Sequence, residues 1–244
     1  MQDRYAGDIG DYGKFGLLRA LRSQGVSIAV NWYLVDVMDS EKNSDGTFKQ
    51  EDGKYLIPEK MKLCDQILAE TLTDIAQSNR RTVRALEQAD LISGAVYYSD
   101  PVPVNGRADW HCRALDRLKN ADLVFVDPDN GMLVKSVGKK SIKSVKYTFY
   151  EEVRDYIQQG QSVLIYNHRS RKQETKYFHE ICLKVQEFTG IAENEILKIT
   201  FPRCSVRDYL AIPASKEHRE KIEDAFTNME HGVWGETGMC RIPK

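Results

Sequence analysis

The chain has 244 residues, 41% hydrophobic and 29% charged, a composition that suits a globular protein with a sizeable core. Its formal net charge of −1 confines any nucleic-acid contact to a local patch, and no apolar run approaches the roughly 20 residues of a bilayer span, so no membrane partner is expected. The polar start lacks a signal core, and the five cysteines (Cys64, Cys112, Cys182, Cys204, Cys240) are scattered with no Cys-x-x-Cys pair, which suggests a cytoplasmic protein without a zinc site or disulfide framework.

Residues 7 to 18 repeat a triplet of glycine, a mostly charged residue and a hydrophobe. Gly7, Gly10, Gly13 and Gly16 share one register, and Asp8, Asp11 and Lys14 another. Glycine costs roughly 1 kcal/mol per residue in a helix relative to alanine, so a ligand or another element must approach this backbone closely. On one reading Asp11 caps a helix over Tyr12–Ser23. Lys14 would then sit in the first turn against the helix dipole and call for an acidic partner or a bound anion.

A strand is expected over Ile28–Asp36. It leads into a polar loop (Asp36, Asp39, Ser40, Glu41, Asn43, Asp45-Gly46) where nucleotide-binding folds place a glycine-rich turn. Helices over Pro58–Asp90, broken near Ser78-Asn79, form an insertion. There follow a strand at Ala95–Ser99 and a helix at Ala108–Asn120. The strand Leu123–Asp127 starts as the continuous run LVFV and runs into Asp127-Pro-Asp-Asn-Gly. Next come a lysine run (Lys135, Lys139, Lys140, Lys143, Lys146) and a helix at Thr148–Gln159. A strand at Ser162–Tyr166 ends in Asn167-His168-Arg169. A helix at Glu174–Gly190, strands at Ile196–Phe201 and Tyr209–Pro213, and a helix at Lys216–Met229 complete the chain. Strands alternating with helices imply crossover connections. The expected fold is a single α/β domain over 1–244, Rossmann-like, three-layered, with a mainly parallel sheet.

Ligands in such sheets sit beyond the C-terminal strand ends. Asp127 can accept hydrogen bonds from a substrate amine, or with Asp129 supply oxygen ligands to Mg²⁺; an ordinary exit turn is the plain alternative. His168 suits a general base or metal ligand. Arg169 and Arg171 can clamp a phosphate, and the lysine run, Lys139 and Lys140 included, can attract a nucleic-acid backbone. A helix-entry loop and a solvated loop are the corresponding plain readings. Tyr97, Tyr98 and Trp110 read as core packing more readily than as a base-stacking platform.

The order of these marks resembles the class I methyltransferase superfamily, and within it the large-subunit ribosomal RNA adenine-N6 methyltransferases. Those proteins open with a short motif of glycine, aspartate and lysine on a helix, like Gly7–Lys14. They continue with a strand ending in aspartate, like Tyr33-Leu-Val-Asp36, and an apolar strand ending in Asp-Pro-Pro-aromatic, where this chain has Asp127-Pro128-Asp129-Asn130. Gly160–Arg171 and Tyr209–Pro213 match later marks. The resemblance implies that Asp8, Asp11, Lys14 and Asp36 line an S-adenosylmethionine pocket and that Asp127 orients a target amine. Asp129, Asn130 and His168 complete the candidate catalytic set, with nucleic acid as substrate. The second expectation is a nuclease or phosphodiesterase using Mg²⁺ or Mn²⁺ on Asp8, Asp11, Asp127 and Asp129. The third is a non-catalytic module that binds a nucleotide or a partner.

Overall fold

The computed structural model describes residues 1–36, 56–78, 81–169, 172–203 and 205–243. The chain begins with helix α1 (Ile9–Ser23) and strand β1 (Ile28–Asn31), followed by helices α2 (Glu59–Lys62), α3 (Gln66–Gln77) and α4 (Val83–Gln88). Strand β2 (Val96–Tyr98), helix α5 (Arg107–Leu118) and strand β3 (Leu123–Val126) come next. Two short strands, β4 (Gly131–Met132) and β5 (Tyr147–Thr148), precede helix α6 (Tyr150–Gln158) and strand β6 (Ser162–His168). Helix α7 (Glu174–Thr189), strands β7 (Leu197–Phe201) and β8 (Arg207–Ile212), and helices α8 (Lys216–His231) and α9 (Val233–Glu236) end the series.

The main sheet has the order β2-β1-β3-β6-β8-β7. Strands β2, β1, β3 and β6 are parallel, and β8 runs antiparallel to both its neighbours. Alternation along the strands divides the core. Val30, Phe125 and Leu164 face the layer of α1, α3, α4 and α8, through Phe15, Leu72, Leu86 and Phe226. Ala29, Val124 and Ile165 face α5, α6 and α7, through Trp110, Tyr156 and Cys182. Both sheet faces are covered, as the continuous LVFV and VLIY runs require. The result is a Rossmann-like α/β fold. Among the described residues no helix is long and apolar enough to cross a membrane.

Several boundaries differ from the sequence expectation. Helix α1 starts at Ile9, because Asp8 rather than Asp11 is its N-cap, accepting from the Gly10 and Asp11 amides at 2.7 and 3.0 Å. Lys14 therefore sits in the second turn, and its conflict with the helix dipole disappears. Strand β1 stops at Asn31, not Asp36. Tyr33 turns the chain with φ 45°, and its amide donates to Asn31 Oδ1 at 3.2 Å. The stretch 58–90 forms three helices rather than two. Asp65 caps α3 through the Leu68 amide and Thr82 caps α4 through the Ala85 amide, each restarting the helix; the expected break at Asn79 lies outside the described residues.

Two glycines of the opening triplet are explained by neighbouring elements. Gly7 has φ +83°, and a Cβ there would stand 2.5 Å from the Leu72 carbonyl oxygen on α3. A Cβ at Gly16 would stand 2.3 Å from Trp234 Cη2 on α9. The repeat lets α1 wedge between these elements.

Candidate active site

The parallel strands β1, β3 and β6 share their C-terminal ends. Because β8 is antiparallel, its first residue lies at the same edge, and Arg207 pairs in register with His168. A cavity of about 330 Å³ opens there, at the lower end of the range typical of small-molecule sites. Its lining includes Gln2, Asp8, Asp11, Lys14, Asp127, Asp129, Asn130, Lys146, Tyr166, His168 and Arg207. Helix α1 thus delivers its charged register to the place where β3 ends.

Lys14 is the centre of the arrangement. Its ammonium donates to Asp11 Oδ1 and Asp127 Oδ2, both at 2.6 Å, and the side chain is only 5% exposed. Nζ also lies 5.3 Å from the Trp32 ring centroid. Burial alone would favour the neutral amine, but Asp11 and Asp127 outweigh it and hold Lys14 protonated, above its ordinary value. Asp11 is fully occupied, since its Oδ2 accepts from the Gly7 amide at 2.8 Å. Burial raises the Asp127 carboxyl, with Lys14 limiting the rise. Asp127 lines the cavity, and among the described residues Lys14 is the side chain that donates to its carboxylate.

Asp8 lines the same cavity. Its Oδ1 is held by helix amides, and Oδ2 lies 4.0 Å from Arg207 Nη2. Burial first, and the charge of Asp11 second, push its carboxyl up to about 6, with Arg207 opposing. Gly10 makes the approach of Arg207 possible, because a Cβ there would lie 2.8 Å from Arg207 Nε.

The Asp127-Pro-Asp-Asn-Gly segment is locked from outside the cavity. Gly131 has φ +95°, and any Cβ would collide with Asn167 Oδ1, which accepts the Met132 amide at 2.7 Å. The Asn130 amide donates to the Lys146 carbonyl at 3.0 Å, which brings the end of the lysine run to the cavity edge. Asp129 accepts from the Gln2 side chain and lies 3.1 Å from the Met1 amino nitrogen. Burial alone would raise the Asp129 carboxyl, but that ammonium and Gln2 hold it below the usual carboxylate range. Gln2 itself is 1% exposed, and its Oε1 has no hydrogen-bond partner among the described residues. A buried acceptor left unpaired in a cavity wall is costly unless a ligand or water donates to it.

The structure therefore brings Asp8, Asp11, Lys14, Asp127, Asp129, Asn130 and His168 around one cavity. It does not bring all the expected residues there. Asp36 is exposed and absent from the lining, because the chain has already turned at Tyr33. Arg169 is not free to clamp a phosphate. It makes two bonds to the fully buried Asp208, at 2.8 and 2.5 Å, and others to Thr200 and Glu174. A buried carboxylate demands such a partner, so this guanidinium is structural. Lys139 pairs with Glu151 on α6, and Lys140 is exposed away from the lining. Arg171 and the Asp39–Gly46 loop lie outside the described residues. Trp110 is fully buried and Tyr97 stacks on Trp32, so these aromatics belong to the core.

Six lining residues had not been singled out from the sequence: Met1, Gln2, Tyr5, Tyr166, Ser205 and Arg207. The short connection between β7 and β8 is the signal for Arg207, since only antiparallel strands join so tightly.

The carboxylates do not fit a divalent cation. Among the described residues no group of three or more His, Cys, Asp or Glu is arranged to hold one. Asp11 and Asp127 already share Lys14. Comparison with known protein families and with curated proteins finds no match to this chain.

Proposed function

We propose that the protein is a methyltransferase-like enzyme that uses S-adenosylmethionine and acts on nucleic acid. The observation that carries the reading is Asp127. It follows the central strand β3 directly, lines the cavity, and has Oδ2 fixed by Lys14. A carboxylate oxygen held in this way can accept the N–H of a target amine and turn the nitrogen lone pair toward an electrophile. The Asp-Pro that ends an apolar strand and the Gly/Asp/Lys helix start support the same reading, because the fold sets them against one another.

The residues present fit the polar end of the cofactor. Gln2 Oε1 is an acceptor for an ammonium group, and Arg207 supplies positive charge for a carboxylate. When bound, S-adenosylmethionine supplies an electrophilic methyl group. The Lys146 end of the lysine run borders the cavity and would draw a phosphate backbone toward it. Calorimetric titration with S-adenosylmethionine and with its demethylated product tests the proposal. Micromolar binding is expected for at least one of them; binding of neither rejects the reading.

A further inference from the structure

We propose that Asp8 is the proton acceptor of this site: its Oδ2 takes the proton that the substrate's nucleophile gives up as it forms its new bond. The proposal rests on the methyl-transfer reading. Its geometric basis is the N-cap. The Gly10 and Asp11 amides fix Oδ1, so the carboxyl cannot rotate freely, and Oδ2 lies 4.0 Å from Nη2 of Arg207, which lines the cavity with Asp8. A second observation points to a ligand in this space, namely the buried, unpartnered Gln2 Oε1.

The other groups facing the cavity are committed to other states. On α1, Asp11 is saturated by Lys14 and the Gly7 amide, and Lys14 is held protonated. After β3, Asp127 is tied to Lys14, and Asp129 is kept ionised by the Met1 ammonium and Gln2. On β6, burial pushes the Tyr166 hydroxyl far up, while burial and Arg207 push His168 down to the neutral imidazole. On β8, Arg207 is a permanent cation that restrains Asp8. Asp8, pushed up to about 6, is a carboxylate at neutral pH with a proton affinity close to the working range of a general base.

The step balances within the site. The nucleophile's lone pair forms the bond to the methyl carbon, and the sulfur of the donor leaves with the old bond pair. The N–H or O–H proton passes to Oδ2, which becomes a carboxylic acid and returns the proton to solvent through the cavity mouth. Asp8 neutralises in the process, and its negative charge beside Arg207 is restored when the proton leaves to solvent.

The test uses the full chain and Asp8→Asn, since asparagine caps a helix as well as aspartate does and keeps α1 intact. Asp8→Ser is the second variant, also a good cap and also without a titrating group. Carboxyl ¹³C NMR of aspartate-labelled protein should show one resonance titrating near pH 6 that is missing from both variants. Methyl transfer from tritiated S-adenosylmethionine to bulk RNA and to bulk DNA is then followed from pH 5 to 8. The wild type should rise about tenfold per pH unit below 6 and level off above 7. Asp8→Asn should fall about 100-fold and lose that rise, while His168→Gln keeps it. Absence of a carboxyl titrating near pH 6, or an ascending limb retained in Asp8→Asn, overturns the proposal. A wild type that binds no S-adenosylmethionine removes the methyl-transfer reading and the catalytic step with it, whereas intact binding with an unchanged pH profile rejects Asp8 alone.

Discussion

Replacing Lys14 by methionine is the most demanding perturbation of the site. The substitution keeps an unbranched side chain but removes the cation between Asp11 and Asp127, and with it the ammonium beside the Trp32 ring. Both contacts are 2.6 Å long, and all three side chains are no more than 5% exposed. Breaking a buried ion pair by removing one partner costs about 3–5 kcal/mol, because a buried charge is left uncompensated. Here two carboxylates are left, and the upper end of that range is expected. A chain of this size stands about 5–15 kcal/mol above its unfolded state, so the variant should fold but melt on the order of 10 °C lower. The penalty should also depend on pH. In the wild type the Lys14 contribution is complete below its unfolded value and constant from pH 5 to 7. In the variant Asp127, already raised by burial, rises further, so the folded state binds more protons than the unfolded one and gains stability as pH falls from 7 to 5. Urea denaturation of both proteins at the two pH values measures this difference, and Lys14→Met combined with Asp127→Asn should recover part of the loss. A destabilisation under about 1 kcal/mol, or an equal one at pH 5 and pH 7, would refute the claim that Lys14 neutralises buried carboxylates.

Other substitutions probe separate parts of the argument. Asp8 rises from 3.8 to about 6 on folding, so the folded state takes up a proton and loses roughly 3 kcal/mol as pH rises from about 4 to 7; Asp8→Asn should flatten that slope in urea titrations, and an unaltered slope would exclude Asp8 as its source. Gly10→Ala should displace Arg207 and move the Asp8 titration upward in carboxyl NMR, whereas a downward move contradicts the pairing. Gly131→Ala meets Asn167 Oδ1 at 1.8 Å with φ +95°; a loss of about 2 kcal/mol or more is expected in thermal melts, and a neutral result would mean that the loop is not locked as described. Arg169→Lys breaks the two-point hold on Asp208 and should lower stability by about 2 kcal/mol while leaving affinity for nucleic acid unchanged; a selective loss of nucleic-acid affinity would restore the phosphate-clamp reading.

The sequence made the sheet legible where burial on both faces writes a continuous apolar run, as in β3 and β6. It failed where one side chain overrides a run. Nothing in Val30-Asn31-Trp32-Tyr33-Leu34-Val35 announces that Tyr33 adopts φ 45°, a conformation held by Asn31 from below and by Glu152, which accepts its hydroxyl at 3.1 Å. That single turn is why Asp36 misses the cavity. The cap of α1 was misplaced for a related reason. Asp8 and Asp11 both precede plausible helix starts, and only the fold decides which carboxylate is spent on amides and which on Lys14. Arg169 looked like a ligand-binding residue because its partner, Asp208, is distant in sequence and reaches it only through the antiparallel register of β6 and β8.

The same register explains how the site differs from a simple acidic crevice. Reading the strand ends alone collects carboxylates and suggests a cation-binding pocket. The fold answers the lining carboxylates with cations from elsewhere: Lys14 from α1 for Asp11 and Asp127, the Met1 ammonium for Asp129, and Arg207 from the start of β8 for Asp8. Lys14, at 2.6 Å, limits the rise that burial causes in Asp127, and Arg207, at 4.0 Å, moderates that in Asp8. Coulomb attraction weakens with distance and with the solvent between the charges. The two aspartates are therefore held in different ways: Asp127 by a close cation, and Asp8 by helix amides with its cation farther off.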